Sequence, residues 1–300
     1  MSKKGIGEKK AGRGSVCRTA GLLIAALLAC EAGKLLGGLC AQLLSAFAGV
    51  LCGQPLSEFP GGLGGQLLSG SSGGLSDIAS WKIGLESIFM QLGGGIPAYL
   101  IWKREGKREK QCGAGKGRGL RILLPASAAW ALGLNLLLAL IGLPELFPGF
   151  QETAAAQAAV PLEAGILLYG IAAPVSEELL FRGIFYQKAE ELSGRWKAAA
   201  LFSSLLFGVY HGNPVQGIYG FLTGMVLCLV YEKTGRLSAA MLFHGAGNLA
   251  VYLLIDAAGL GSRLAPAAAA PLCALFLGAA ALGLRRLIGR DGPRETGGQP

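Results

Sequence analysis

The chain has 300 residues, of which 52% are hydrophobic and only 15% are charged, and its mean hydropathy is +0.50. This composition is typical of a polytopic membrane protein and excludes an ordinary soluble domain; the 49 glycines also suit close packing of helices in lipid. The formal net charge of +9 does not indicate nucleic-acid binding, because Lys and Arg lie almost entirely in short segments between apolar runs.

The first half of the chain contains a basic leader and three apolar segments. Residues 1–18 are rich in Lys and Arg and are predicted to be a disordered leader. Glu31 and Lys34 interrupt the first apolar segment three residues apart, so we expect them to pair with each other. The Gly/Ser/Pro-rich stretch 53–84 is predicted to be an external loop, and the strongly basic stretch 103–121 a cytoplasmic one. The predicted membrane spans of this half are residues 20–51, 85–102 and 122–143.

The basic leader and the apolar run after it also resemble a lipoprotein signal with Cys30 as the acceptor. Glu31 and Lys34 follow at once and the apolar character then resumes, which a cleaved signal does not require. We therefore interpret residues 20–51 as one tilted helix, since its length of about 48 Å exceeds a single crossing. The seven cysteines show no CxxC or CxxH spacing and are predicted to be buried small hydrophobic residues.

The second half of the chain alternates apolar runs with short connections. Residues 144–162 and 256–264 are predicted external loops, and the basic turns 188–197 and 232–236 are predicted to be cytoplasmic. The predicted spans are residues 163–186, 198–211, 215–231, 237–255 and 265–284. The sequence thus predicts an all-α polytopic protein of about eight transmembrane helices with both termini in the cytoplasm. Residues 19–284 would form one membrane-embedded domain, followed by a disordered basic tail over residues 285–300.

Three charged residues lie close together in the fourth predicted span. Within residues 174–187, Glu177, Glu178 and Arg182 interrupt an apolar run, and each charge would cost about 2.5–3.5 kcal/mol at the centre of a membrane helix. Glu178 and Arg182 are four residues apart and can pair, whereas Glu177 points about 100° away from Glu178. The stretch is either a structural ion pair between helices or an intramembrane reaction centre.

The chain contains only two histidines, and both lie in predicted membrane helices. His244 and Asn248 are four residues apart and share one helical face. Counted from the cytoplasmic ends of their spans, Glu177, His211 and His244 lie about 16, 20 and 10 Å deep. These three helices can therefore bring polar groups to one zone of the bilayer, since polar groups in lipid face inward and find one another.

This set of side chains suits the hydrolysis of an amide by an activated water. A buried carboxylate can act as a general base, and a neighbouring imidazole can share the proton of the water. A second imidazole and an amide NH₂ group can donate to the oxyanion that forms on the attacked carbonyl. No Ser or Cys nucleophile elbow is present in the sequence, so no covalent intermediate is expected.

Three motifs occur in order on separate predicted helices: EExxxR from Glu177, FxxxH from Phe207 and HxxxN from His244. Together with Phe-Arg-Gly after the glutamates and Thr-Gly before the last helix, they resemble the CAAX protease and bacteriocin-processing (CPBP) family of intramembrane endopeptidases. This family includes the type II CAAX prenyl endopeptidases. The resemblance covers residues 165–252, less than a third of the chain.

The resemblance implies a role for each motif residue. Glu177 would activate the water, His211 would assist it, and His244 and Asn248 would form the oxyanion site; Glu178 and Arg182 would brace their helix. The family has been described both as metalloproteases and as metal-free glutamate proteases. Zinc held by Glu177, His211 and His244 is chemically reasonable, but the sequence has no HExxH motif, and we favour a site without a metal cofactor.

We therefore expect a multi-pass protein of the cell membrane that cleaves a peptide bond near the cytoplasmic face. Its partners would be the bilayer and a peptide or protein substrate, membrane-proximal or lipid-modified, such as a CAAX tail or a bacteriocin or other leader peptide. Two alternatives remain. The first is a catalytically silent immunity or scaffold protein of the same fold. The second is a transporter with a proton relay, but no repeated motif in the two halves favours it.

Overall fold

The computed structural model describes residues 13–51, 73–105, 118–260 and 264–288. These residues are predominantly helical, and no strand occurs among them, so the all-helical prediction is confirmed for this part of the chain. The helices, in chain order, are α1 Arg13–Leu51, α2 Gly73–Arg104, α3 Arg118–Leu140, α4 Pro148–Ala158, α5 Leu162–Ser193, α6 Trp196–Tyr210, α7 Pro214–Thr234, α8 Leu237–Ala257 and α9 Pro266–Ile288.

Six of these helices, namely α1, α3, α5, α7, α8 and α9, contain a stretch long and apolar enough to cross a membrane. The chain is therefore a multi-pass membrane protein. The predicted spans 85–102 and 198–211 fall on α2 and α6, which are not among the six. Glu86, Gln91 and three consecutive glycines make α2 less apolar. Helix α6 has 15 residues and is about 22 Å long, which is shorter than a hydrocarbon core of about 30 Å.

Several helices extend into stretches that the sequence predicts as loops. Helix α1 begins at Arg13, inside the predicted leader, and α2 begins at Gly73, inside the predicted loop 53–84. Helix α4 occupies most of the predicted loop 144–162, and α5 and α9 continue past residues 186 and 284. Apolar patterning locates only the part of a helix in hydrocarbon, whereas helix ends continue into the polar boundary, where water satisfies charged groups. Residues 1–12, 52–72, 106–117, 261–263 and 289–300 lie outside the described residues.

Helix α5 lies at the centre of the fold. It contacts α2, α6, α7 and α8, as well as α1, and its residues from Leu179 to Tyr186 are all buried. Two π-helical segments, Leu168–Ala172 and Leu179–Tyr186, interrupt its α-helical course. Such wider turns are often found at functional sites. The charged motif of the sequence lies where α-helix gives way to the second π segment, in the interior of the bundle.

Helices α1 and α2 pack backbone against backbone. A Cβ atom on Gly33 would lie 2.2 Å from the carbonyl oxygen of Gly93, and one on Gly37 would lie 2.1 Å from that of Phe89. Gly33 and Gly37 form a GxxxG pattern, which allows close helix approach in membranes. Farther along α2, a Cβ atom on Gly95 would lie 3.5 Å from the Cβ atom of Ser176. The α1–α2 pair is thereby held against α5 beside the glutamates.

Two tight connections set α6, α7 and α8 side by side. Asn213 caps α7 by accepting hydrogen bonds from the backbone of Val215 at 2.9 Å and Gln216 at 3.4 Å, and Pro214 occupies the first turn of α7. Gly235, with φ of 69°, ends α7 in the left-handed conformation that glycine favours. This topology brings His244, in the middle of α8, to the Phe207 ring of α6, which His211 at the end of α6 also contacts.

Candidate active site

Glu178 and Arg182 form a fully buried ion pair, as the sequence predicts. Arg182 Nη1 donates to Glu178 Oε1 at 2.9 Å, and both side chains have 0% exposure. The other terminal nitrogen, Nη2, donates to the Gly224 carbonyl oxygen at 3.1 Å, and the guanidinium carbon lies 4.6 Å from the centroid of the Phe207 ring. Arg182 therefore ties α5 to α6 and α7 through one charged group.

His244 connects the two glutamates. Its Nδ1 lies 2.8 Å from Glu178 Oε1, and its Nε2 lies 3.7 Å from Glu177 Oε2. An ionised carboxylate only accepts hydrogen bonds, so Nδ1 carries the proton that is donated to Glu178. Nε2 is then the nitrogen that faces Glu177. The distance of 3.7 Å is longer than a hydrogen bond, and a single water can contact both atoms.

Glu177 is the more accessible of the two carboxylates. Its side chain is 13% exposed, compared with 0% for that of Glu178. It makes no ion pair with Arg182, in agreement with the prediction that it points away from the Glu178–Arg182 pair. The two adjacent glutamates thus have different surroundings: one is fixed by a guanidinium and an imidazole, and the other faces a single imidazole nitrogen.

His211 contacts the same aromatic ring as His244, that of Phe207. Its ring centroid is 4.8 Å from that of Phe207, and the His244 centroid is 5.7 Å from the same ring, both in edge-on geometry. His211 Nδ1 lies 2.7 Å from the Phe207 carbonyl oxygen, to which it donates. The nearby Gly220 makes room for the imidazole, since a Cβ there would lie 3.2 Å from His211 Nδ1. The structure therefore holds both histidines against one aromatic ring. Nε2 of His211 takes no part in the hydrogen bond to the Phe207 carbonyl oxygen.

Asn248 follows His244 by one turn of α8 and is half-buried. No hydrogen bond joins its side chain to another described residue. The neighbouring Gly247 packs against α3, with a would-be Cβ 2.9 Å from Ser127 Oγ. The structure thus places Asn248 on the helix of His244 but does not bring its amide into contact with the glutamates.

A cleft of about 470 Å³ reaches His211. It lies between α4 and the connection from α6 to α7, and its walls combine aromatic rings with a few polar groups. The lining residues are Phe147, Pro148, Gly149, Phe150, Thr153, His211, Gly212, Asn213, Pro214 and Gln216. Helix α4 belongs to the stretch predicted to be external, so in the predicted orientation this cleft would open away from the cytoplasm.

Three polar residues near the site have no predicted catalytic role. The Tyr210 hydroxyl donates to Glu31 Oε1 at 2.5 Å, and the Lys34 ammonium lies 4.5 Å from the centroid of the Tyr210 ring. The predicted pairing of Lys34 with Glu31 is confirmed at 3.8 Å, but the pair also contacts α6. Two charges inside the first span are the sequence signal for this contact, although nothing in the sequence identifies Tyr210 as their partner.

The donor groups of the site are not arranged around a common metal position. Among the described residues, no three His, Cys, Asp or Glu side chains form a group that could hold a metal ion. The nitrogens Nδ1 of His211 and Nδ1 of His244 are engaged with a carbonyl and a carboxylate. These hydrogen bonds engage Nδ1 and leave Nε2 of both histidines outside them. A site without a metal cofactor at Glu177, His211 and His244 stays a prediction.

Residues 160–250 match the family model described as Type II CAAX prenyl endopeptidase Rce1-like. No curated protein matches the chain, and no solved structure matches it. The matched region includes Glu177, Glu178, Arg182, His211, His244 and Asn248, whereas Glu31 and Lys34 lie outside it. Within this multi-pass protein, residues 160–250 are thus the part that is similar to the Rce1-like type II CAAX prenyl endopeptidase family.

Proposed function

We propose that the protein is an intramembrane endopeptidase in which Glu177 activates a water for attack on a peptide bond. The observation that carries this proposal is the position of His244, whose two nitrogens face Glu178 at 2.8 Å and Glu177 at 3.7 Å in the interior of the bundle. A purely structural ion pair needs only Glu178 and Arg182. The second carboxylate, partly accessible and opposite an imidazole nitrogen, is what a general base requires.

The reaction needs one proton to move twice. Glu177 takes a proton from the water while the oxygen of that water attacks the carbonyl carbon, which gives a tetrahedral oxyanion. The protonated Glu177 then gives the proton to the amide nitrogen as the carbon–nitrogen bond breaks. The products are a carboxylic acid and an amine, and the carboxylate of Glu177 is restored. No covalent bond to the enzyme forms at any step.

The surrounding residues orient these groups. Glu178 fixes the orientation and the tautomer of His244 by accepting from Nδ1, and Arg182 compensates the charge of Glu178. Asn248 would turn its amide NH₂ toward the oxyanion, together with a protonated Nε2 of His244. His211, with Nδ1 held by the Phe207 carbonyl, would assist the water through Nε2. Because the described donors do not group around a metal, we propose water activation without a metal cofactor.

The proposed substrate is a membrane-proximal or lipid-modified peptide. Two observations support this class: the glutamates lie inside the helix bundle, and residues 160–250 match a family model described as a type II CAAX prenyl endopeptidase. We further propose that the protein resides in the cell membrane with eight membrane helices and cytoplasmic termini. Helices α2 and α6 would complete the six longer ones, being held in the bilayer by α1, α5 and α7.

Cleavage of a peptide panel by the detergent-purified protein tests this function. Glu177→Gln keeps the size of the side chain and removes the base, so we expect the rate to fall by about 10²–10⁴-fold. Glu163→Gln, an exposed glutamate on the same helix, is the matched control and should cleave at the wild-type rate. We expect a chelator to leave the rate unchanged; loss of activity that zinc restores would contradict the metal-free proposal.

Full activity of Glu177→Gln would refute the catalytic assignment, provided that the variant elutes as a single folded species. Absence of cleavage by the wild-type protein across the panel would instead favour the silent immunity or scaffold alternative. In that case Glu177→Gln should still support the cellular phenotype of the protein.

A further inference from the structure

The first helix contributes polar groups to the site from outside the matched domain. Glu31 and Lys34 lie in the span Gly14–Phe47, where a charge is costly in lipid. The side chain of Glu31 is nevertheless 47% exposed. A carboxylate at this depth has to meet water or polar groups rather than hydrocarbon. We therefore expect the side of α1 that carries Glu31 to face water or polar groups beside Tyr210 of α6.

Tyr210 lies between this polar pair and the glutamates. Its phenol donates to Glu31, and its ring neighbour Phe181 also packs edge-on against Phe207, the ring that both histidines contact. Its ring packs edge-on against Phe181 with centroids 5.2 Å apart, and Phe181 follows Glu177 by about one turn of α5. The ring position is thus fixed by packing, and the hydroxyl is fixed by its hydrogen bond to Glu31.

The direction of that hydrogen bond decides what the phenol can do next. A phenol has one proton to donate, and its oxygen can also accept. Because the hydroxyl of Tyr210 donates its one hydrogen bond to Glu31, its oxygen can only accept hydrogen bonds from other neighbours. Lys34, 3.8 Å from Glu31, stabilises the ionised carboxylate that accepts this hydrogen bond. A water near Glu177 can then donate one O–H to Tyr210 and the other to Glu177.

We propose that Tyr210, held by Glu31 and Lys34 of α1, is a positioning residue that orients the water activated by Glu177. This inference rests on the proposed hydrolytic function. With both of its protons directed to Tyr210 and Glu177, the water has a lone pair left to face the substrate carbonyl. If Glu31 were absent, the phenol would be free to donate to Glu177 and would compete with the water for the base.

A double-mutant cycle with a peptide that the wild type cleaves tests this role. Tyr210→Phe keeps the ring packing and removes the acceptor, so kcat should fall by about 10–100-fold with KM unchanged, as for the loss of one hydrogen bond in the transition state. Glu31→Leu should lower kcat to a similar extent. Glu31→Leu should have no further effect in the Tyr210→Phe background, because it acts through the phenol. Glu31→Gln, which can still accept the phenol proton, should restore most of kcat.

Two control variants separate this role from general effects of helix packing. Tyr252→Phe removes a comparable hydrogen bond, from a phenol to the Val160 carbonyl at 2.7 Å. Gln42→Leu removes a different polar contact of α1, the one to Glu86 at 2.6 Å. Both variants should keep the wild-type kcat, since neither touches Tyr210.

The possible outcomes distinguish this inference from the function on which it rests. Wild-type kcat in Tyr210→Phe, an effect on KM alone, or an undiminished effect of Glu31→Leu in the Tyr210→Phe background would overturn the inference, with the Glu177-dependent cleavage still standing. Failure of the wild type to cleave any peptide of the panel would overturn the hydrolytic function, and the positioning role with it.

Discussion

Glu178 receives hydrogen bonds from two basic side chains at the same oxygen. Arg182 and His244 both lie within 2.9 Å of its Oε1, and the Glu178 and Arg182 side chains are fully buried. An isolated charge there would be strongly unfavourable, and a pair is stable only with good geometry and additional hydrogen bonds. At the scale of the residue, the site is therefore a small network whose members depend on one another for their charge and orientation.

Removal of the guanidinium should destabilise the fold. We expect Arg182→Met to lower the free energy of unfolding by about 3–5 kcal/mol, because Glu178 is left as a buried charge with only His244 as a partner. Thermal unfolding in detergent measures the change. Arg236→Met, at an exposed position before α8, is the control and should change the free energy of unfolding by no more than about 0.5 kcal/mol. An unfolding temperature of Arg182→Met equal to that of the wild type would contradict the ion pair as a stabilising contact.

At the scale of the element, the approach of α1 to α2 depends on small residues. The backbones approach so closely at Gly33 and Gly37 that any side chain at these positions has to displace a neighbouring helix. In lipid, where apolar surface gives no driving force for association, such close van der Waals contact is what holds helices together. The same crossing keeps Glu31 in reach of Tyr210, so the geometry of the pair affects the site.

A methyl group at this crossing should separate the two helices. Gly33→Ala would place its Cβ 2.2 Å from the Gly93 carbonyl oxygen, and we expect a loss of about 1–3 kcal/mol in the free energy of unfolding. Gly21→Ala, on the same helix, has nothing within 4 Å of the new Cβ and should be neutral or stabilising by up to about 1 kcal/mol. Thermal unfolding of both variants measures the difference, and equal unfolding temperatures would contradict the close packing.

At the scale of the whole molecule, the basic connections and the cleft at His211 lie at opposite ends of the bundle. Ser193 lies at the end of α5 next to basic residues, whereas Gln151 lies on α4 beside the cleft. With cytoplasmic termini, the cleft would open toward the external side. The orientation of the protein therefore decides from which side of the membrane a substrate reaches His211.

Thiol labelling in intact cells tests this orientation. In a background without native cysteines, Gln151→Cys should react with a membrane-impermeant thiol reagent added outside, because α4 is predicted to be external. Ser193→Cys, also exposed, should react only after the membrane is permeabilised. The reverse labelling pattern would place the cleft in the cytoplasm and overturn the proposed orientation.

The local features of this protein could be predicted from the sequence. Long apolar runs predict helices, and the pairs Glu178–Arg182 and Glu31–Lys34 follow from spacings of four and three residues. The helix ends were predicted less well, as at Gly73, where α2 begins, and Ser193, where α5 ends. Apolar patterning indicates only the part of a helix that lies in hydrocarbon, and these helices continue beyond it. The number of eight spans remains a prediction beside the six long apolar helices of the described part.

The sequence by itself determined that charged and imidazole groups lie inside apolar helices, because hydropathy and helical spacing are local properties. Only the tertiary structure decided which of them meet. His244 bonds Glu178 across 66 residues and Tyr210 bonds Glu31 across 179 residues, and such contacts depend on the rotation and crossing of whole helices. The rotation and crossing of the helices are set by glycine contacts and by buried rings such as Phe207, which pack segments together that are far apart in the chain.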